Sequence, residues 1–146
     1  MDAVDLAIIA QLTKNGRMSN QDLAQEVGLT PAPCLRRVRN LEELGVIQGY
    51  RAEISPGAID QGFEAIVLVN LNSNKSEETL AFEERILAMP EVIEFRRMFS
   101  QPDYLLRVAV KDIGAYEQWM SQTLQKDPEI ERFYSHITMK VLRGLL

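Results

Sequence analysis

The chain is poor in the groups on which most catalytic and membrane proteins depend. It holds one cysteine, Cys34, so no internal disulfide can form. It holds one histidine, His136, and neither residue has companions that would make a metal site or a proton-transfer pair. No phosphate-binding glycine loop is present, and no internal repeat or low-complexity segment is found. No apolar run approaches the ~18 residues of a membrane span. Met1-Asp2-Ala3-Val4-Asp5 lacks the basic residues that open a secretory signal. Together these features weigh against an enzyme and lead us to expect a cytoplasmic protein. Positive charge is also scarce: the net charge is −5, which taken alone argues weakly against a nucleic-acid partner.

What is present is the composition of a folded protein, 46% hydrophobic and 25% charged. A length of 146 residues suits one ordinary domain or two small ones. Small domains bury a smaller share of their surface, so assembly into an oligomer is an expected source of stability. The charge distribution is more informative than its sum. Lys14, Arg17, Arg36, Arg37, Arg39 and Arg51 are the basic residues among the first sixty, and three of them fall within 36–39. A local positive face, rather than a basic protein, is what specific DNA binding requires.

The first 45 residues carry a helical period. Asp2 is a plausible N-cap with Asp5 as its capping-box partner. Val4, Ile8, Ile9 and Leu12 form one apolar stripe. Lys14-Asn15-Gly16 supplies a stop. A second helix starts at Ser19, with Asp22 as box partner, buries Leu23, Ala24 and Val27, and stops at Gly28. A third starts at Thr30, with Pro31 at the first helical position, where a missing N–H costs nothing. Residues 46–54 read as one extended segment with a glycine flaw at Gly49, and Ser55-Pro56-Gly57 as a turn.

From residue 63 the pattern is strand over 63–71, helix over 76–89, strand over 92–99, a turn at Gln101-Pro102-Asp103, strand over 104–110, helix over 113–124 and strand over 130–142. This β-α-β-β-α-β order predicts a ferredoxin-like unit, with both helices on one face of a four-stranded antiparallel sheet. The first strand carries Ala65, Val67, Val69 and Leu71 on one side and Ile66 and Leu68 on the other. Apolar groups on both faces call for a partner on the open face. The fold class is therefore α+β, divided into a helix-turn-helix domain over 1–45, a wing or linker strand over 46–62, and a ferredoxin-like domain over 63–146.

Residues 19–45 have helix-turn-helix spacing. On the third helix, at about 100° per residue, Cys34, Leu35, Val38 and Leu41 cluster on one side. Arg36, Arg39 and Asn40 point away, with Ala32 and Pro33 in the first turn and Arg37 on the flank. A recognition helix enters the major groove by its N-terminal end. There arginine can take guanine O6/N7 and asparagine adenine N6/N7, while other basic groups meet phosphates. The alternative is a solvated helix whose arginines pair with Glu42 and Glu43.

The run Leu29-Thr30-Pro31-Ala32-Pro33-Cys34-Leu35-Arg36-Arg37-Val38-Arg39-Asn40-Leu41-Glu42, followed by Gly45-Val46-Ile47-Gln48-Gly49-Tyr50, closely resembles the signature of the Lrp/AsnC family, the leucine-responsive and feast/famine transcription regulators. The likeness extends upstream through Asp5, Ile8, Leu12, Gly16-Arg17 and Ser19-Asn20. Downstream it continues through Asp103-Tyr104-Leu105-Leu106, Tyr116 and Met139. The resemblance implies a winged helix-turn-helix, a linker strand, and homodimers paired through their sheets and commonly assembled into octamers. It also implies an amino-acid effector, with no other cofactor. Its DNA-contacting positions fall on Ser19, Asn20, Thr30, Ala32, Pro33, Arg36, Arg37, Arg39, Asn40 and Tyr50. Its effector positions fall on Met98, Phe99, Ser100, Gln101, Pro102, Asp103 and Tyr104, with Ser135, His136, Ile137 and Thr138 opposite, at an interface between dimers. The family often has glycine where Ser100 stands and Ser or Thr where Phe99 stands. Both replacements imply a narrower space for the ligand.

Among single residues, His136 reads as an interface packing group, Cys34 as a small buried hydrophobe, and Tyr116 and Trp119 as helix-to-sheet core. Asp103 is open between two roles: accepting the turn's own N–H groups, or meeting an effector's ammonium. Glu77, Glu78, Glu83 and Glu84 read as a solvated helix face. Two other functions compete with this reading: an enzyme on a ferredoxin-like scaffold, and an architectural protein that wraps DNA with little sequence preference.

Overall fold

The computed structural model describes residues 1–72 and 76–142. It forms two compact units, Met1–Glu53 and Ile54–Leu146. The division lies within the segment 46–62.

The first unit is helical. Helix α1 (Ala3–Lys14) starts on a closed capping box. Asp2 accepts from the Asp5 N–H at 2.9 Å, and Asp5 accepts from the Asp2 N–H at 3.0 Å. Helix α2 (Asn20–Glu26) is capped by Ser19, whose Oγ accepts from the Asp22 N–H at 3.1 Å. This box closes differently from α1's, because the Ser19 hydroxyl donates to the Asp22 carboxylate at 2.6 Å. The turn to α3 (Pro31–Glu43) passes through Gly28 at φ 70°, and Leu29 N–H returns to the Ala24 carbonyl at 2.8 Å. That left-handed conformation favours glycine. Ile8, Leu23, Ala24, Cys34 and Leu41 form the buried centre, flanked by Val4, Ile9, Leu12, Val27, Val38 and Ile47.

Two expectations are corrected in this unit. Residues 46–54 form no strand. Gly49 sits at φ 149° and Tyr50 donates to Glu42 of α3 at 2.8 Å. A strand needs a ladder partner, and none is present among the described residues. Leu35 is 39% exposed rather than part of the core. It lies about a quarter-turn from Cys34, at the edge of the apolar stripe, and the buried centre does not include it.

The second unit has the expected β-α-β-β-α-β order: β1 (Phe63–Leu71), α4 (Ser76–Leu87), β2 (Val92–Arg97), β3 (Tyr104–Val110), α5 (Ile113–Gln122) and β4 (Ile130–Ile137). Short 3₁₀ turns occupy Pro56–Ile59 and Leu124–Lys126. The sheet is antiparallel with order β2-β3-β1-β4, which is ferredoxin-like. Its helix-covered face buries Ala65, Val67, Val69, Tyr104, Leu106 and Val108 against Phe82 and Ile86 of α4 and Tyr116 and Trp119 of α5. Several expected elements are shorter. The last strand ends at Ile137 instead of 142, because β1 ends its pairing at Ala65 opposite Ile137. The helix over 113–124 gives way to a 3₁₀ turn. The second strand stops at Arg97, where Met98 N–H donates to the Asp103 carbonyl at 2.8 Å and closes the turn. Within the domain read over 63–146, residues 73–75 and 143–146 lie outside the described ones.

Candidate functional sites

Helix α3 sorts its side chains by what they touch. Cys34 and Leu41 are buried, and burial pushes the Cys34 thiol up from its ordinary pKa, as a packed, unreactive group requires. Arg37 is taken up within the unit: its guanidinium reaches Asp2 at 2.8 Å and Asp5 at 2.7 Å. These bonds tie α3 to the N-terminus of α1. The Asp2 and Asp5 carboxyls are held below their usual range, first by each other's backbone N–H and then by Arg37. Arg36, Arg39 and Asn40 are exposed. Among the described residues, none of the three side chains makes a hydrogen bond or ion pair with another part of the chain. They line a shallow groove with Ala32, Leu35 and Glu43.

The other expected DNA-contact positions are divided. Asn20 donates to the Pro31 carbonyl at 2.8 Å and so braces the turn between α2 and α3. Ser19 is engaged in its cap, and Tyr50 in its bond to Glu42. Thr30 stands at the N-cap of α3 without a side-chain capping bond, which leaves its hydroxyl uncommitted. Ala32 is exposed and Pro33 half-buried in the first turn.

The expected effector positions lie on two separate parts of the second unit. The turn over 98–103 sits beyond the β1 end marked by Val69, the partner of Tyr104. The segment over 135–138 pairs near the other end of β1, with Ile137 opposite Ala65. Four residues of strand separate these register positions, about 13 Å, and β3 and β4 flank β1 on opposite sides. A single chain therefore does not bring the two groups together.

Within the turn, Phe99 projects fully into solvent and Met98 is 42% exposed. Phe99 thus narrows no pocket within one chain. The Gln101–Pro102 peptide bond is cis. Asp103 does not bond the turn's own N–H groups with its side chain: its Oδ2 accepts from the Leu71 N–H at 2.8 Å and ties the turn to the end of β1. Tyr104 points away from solvent into the core, 2% exposed, where its hydroxyl donates to Glu83 at 2.6 Å and its ring stacks on Phe95. On β4, strand alternation splits the opposite group. Ser135 shares the helix-covered face and hydrogen-bonds Tyr116 Oη at 2.5 Å, whereas His136 lies on the open face beside Ile66. Thr138 returns to Glu64 through its N–H at 3.0 Å and its hydroxyl at 3.3 Å.

The open face holds a group that sequence reasoning missed. Arg107 donates to Glu64 and to Glu94, each at 2.8 Å, and Arg96 pairs with Glu94. Ile66, Leu105, Arg97 and Met98 line the same depression. The signal was the presence of Glu64, Glu94 and Arg107 inside apolar strands.

The geometry defines a class: a helix-turn-helix with uncommitted basic groups on its third helix, followed by an α+β unit with an open sheet face. The comparisons with known proteins agree. Residues 1–48 match the model for winged helix-turn-helix DNA-binding domains, and residues 64–143 match that for the Lrp/AsnC ligand-binding domain. The Bkd operon transcriptional regulator of Pseudomonas aeruginosa is 39% identical over 140 residues, covering 96% of this chain and 92% of that protein. The leucine-responsive regulatory protein of Haemophilus influenzae is 36% identical over 143 residues, covering 98% and 86%. Among solved structures, an AsnC family regulator from Agrobacterium tumefaciens aligns with TM-score 0.92 at 35% identity, covering 99% of this chain and 94% of that one. A Neisseria meningitidis transcriptional regulator in complex with L-Met aligns with TM-score 0.93 at 28% identity, covering 99% and 93%. The chain belongs to the Lrp/AsnC family of DNA-binding transcription regulators, and is not an enzyme.

Proposed function

We propose that this regulator binds double-stranded DNA sequence-specifically through the exposed stripe of α3 and is controlled by an amino acid. Arg36, Arg39 and Asn40 read base edges or clamp phosphates, with Ala32, Pro33 and Thr30 at the leading end of the helix. Ser19, Asn20, Arg37 and Tyr50 hold the helix in place for those contacts. The observation that carries this reading is the contrast between neighbours: Arg37 is consumed by Asp2 and Asp5, while Arg36, Arg39 and Asn40 are left to an outside partner. The protein works in the cytoplasm as a homodimer, assembled further into an octamer.

The effector site is built between dimers from the turn over 98–104 of one chain and the segment over 135–138 of another. The separation of the two groups within one chain supports this. The L-Met complex of the Neisseria relative supports an amino acid as the ligand. Such a site links ligand binding to assembly, since the ligand stabilises the arrangement that completes its pocket. The test is an Arg36→Ala/Arg39→Ala variant against a duplex selected by the wild-type protein. Loss of binding with an unchanged oligomer is expected. Full-strength binding would overturn the assignment of α3. Titration calorimetry with each amino acid tests the effector, and no binding at millimolar concentration would reject it.

A further inference from the structure

Leu35 is out of place for a helix-turn-helix core. It is 39% exposed on a helix whose other apolar residues, Cys34, Val38 and Leu41, turn inward. It lines the same groove as Ala32, Arg36, Arg39, Asn40 and Glu43. Residues three and four apart are neighbours on a helix surface. Leu35 therefore stands one turn after Ala32 and one turn before Arg39, beside Arg36. Its branched side chain forms an apolar surface at the N-terminal half of α3, the half that a recognition helix presents to base edges. Base edges in the major groove offer one apolar group, the C5 methyl of thymine. The basic groups around Leu35 would hold it against DNA rather than against an apolar protein surface.

We infer that Leu35 is a specificity residue that reads thymine by packing on its C5 methyl group, with Ala32 forming the rest of the apolar surface. This rests on the α3 reading above. Arginine and asparagine select guanine and adenine by hydrogen bonds, whereas Leu35 selects by shape and by removal of methyl surface from water. The preferred site then has a thymine within a base pair or two of the guanine contacted by Arg36 or Arg39 or the adenine contacted by Asn40.

The test uses the full-length protein and a duplex selected from a random library by wild-type binding. Each thymine is replaced in turn by deoxyuridine, which differs only in lacking the methyl group. We expect at least one position where the wild-type protein binds about fourfold more weakly, the equivalent of one buried methyl. Leu35→Ala should bind the thymine duplex more weakly and lose most of the discrimination at that position, while keeping its fold by circular dichroism. Arg39→Ala, run in parallel, should weaken binding and retain the discrimination. Absence of any deoxyuridine penalty, or a penalty undiminished in Leu35→Ala, overturns the inference while a weakened Arg39→Ala leaves the α3 reading standing. If Arg39→Ala and Leu35→Ala both bind as wild type, the α3 reading falls and this inference with it.

Discussion

Asp103 offers the clearest separation of a structural role from a ligand-binding one. Its carboxylate accepts from the Leu71 N–H at 2.8 Å, and Leu71 is 8% exposed. Asp103→Ala removes the acceptor and leaves a backbone donor that water can barely reach. An orphaned buried donor costs about 1–3 kcal/mol. For a unit of this size, about 2 kcal/mol lowers the midpoint of thermal unfolding by roughly 8–16 °C. Asp103→Asn keeps a carbonyl acceptor for the same N–H but has no charge, so it should recover most of that loss. If Asp103 also meets an effector's ammonium, both variants should lose amino-acid affinity, because only the carboxylate supplies the charge. The assay is built into the chain. Trp119 is the single tryptophan and lies 6% exposed in the core of this unit, so its fluorescence follows the unfolding of this unit. An Asp103→Ala protein that unfolds with the wild type would refute the tether. Equal destabilisation by Asp103→Asn would show that charge, rather than the acceptor, holds the turn. Wild-type amino-acid affinity in the Asp103→Asn variant would remove the carboxylate from the effector site.

Four further outcomes are expected. Arg39→Ala should weaken binding to a selected duplex by about 1–3 kcal/mol if it reads a base, measured by fluorescence anisotropy at fixed salt. Phe82, fully buried between α4 and the sheet, should cost about 3–5 kcal/mol when replaced by alanine, visible as an earlier urea transition of Trp119. The carboxyls of Asp2 and Asp5 titrate below their ordinary range, so their contribution to stability is complete above that range and is lost as pH falls through the lowered values. Arg37→Ala should therefore destabilise the first unit at neutral pH and make little difference in acid, as read from amide NMR signals. Ile66→Asp places a charge on the open sheet face and should reduce the assembly to smaller species in sedimentation velocity; an unchanged sedimentation coefficient would argue against pairing through that face.

The fold was legible because local chemistry and periodicity agree in most of the chain. Asp2, Ser19 and Thr30 mark the three helix starts, and Gly28 and Gly45 take up the left-handed conformations where helices stop. Alternation in β1 separated Ala65, Val67 and Val69 from Ile66 and Leu68 correctly, since a two-residue period assigns a face without further information. Strand ends were less legible, because a strand stops where its neighbour does. The apolar alternation through Met139 and Val141 continues past Ile137, but β1 pairing does not. At the candidate sites, residue type was readable and commitment was not. Nothing in the order Arg36-Arg37-Val38-Arg39 announces that Arg37 alone meets Asp2 and Asp5, more than thirty residues away in the chain. Likewise Asp103 could be read as a turn residue, but its partner Leu71 lies on another strand.

The open face of the sheet is suited to burial against a second copy for a reason that apolar content alone does not give. A charge moved out of water is costly unless its partners move with it. Here Arg107 is shared by Glu64 and Glu94, and Glu94 is shared with Arg96, so two cations and two carboxylates satisfy one another within the chain. The pairing holds Glu94 below its usual pKa and Arg107 above its own. This cluster sits among Ile66 and Leu105, which offer apolar surface. A twofold-related copy would present the same patch, so in such a pair each face would meet a surface whose charges are already neutralised. Loss of Arg107 would upset that balance, leaving Glu64 without its cation and Glu94 with Arg96 alone beside the apolar strip. The charges embedded in β1, β2 and β3 thus set which surfaces this face can accept, and the apolar residues between them supply the driving force.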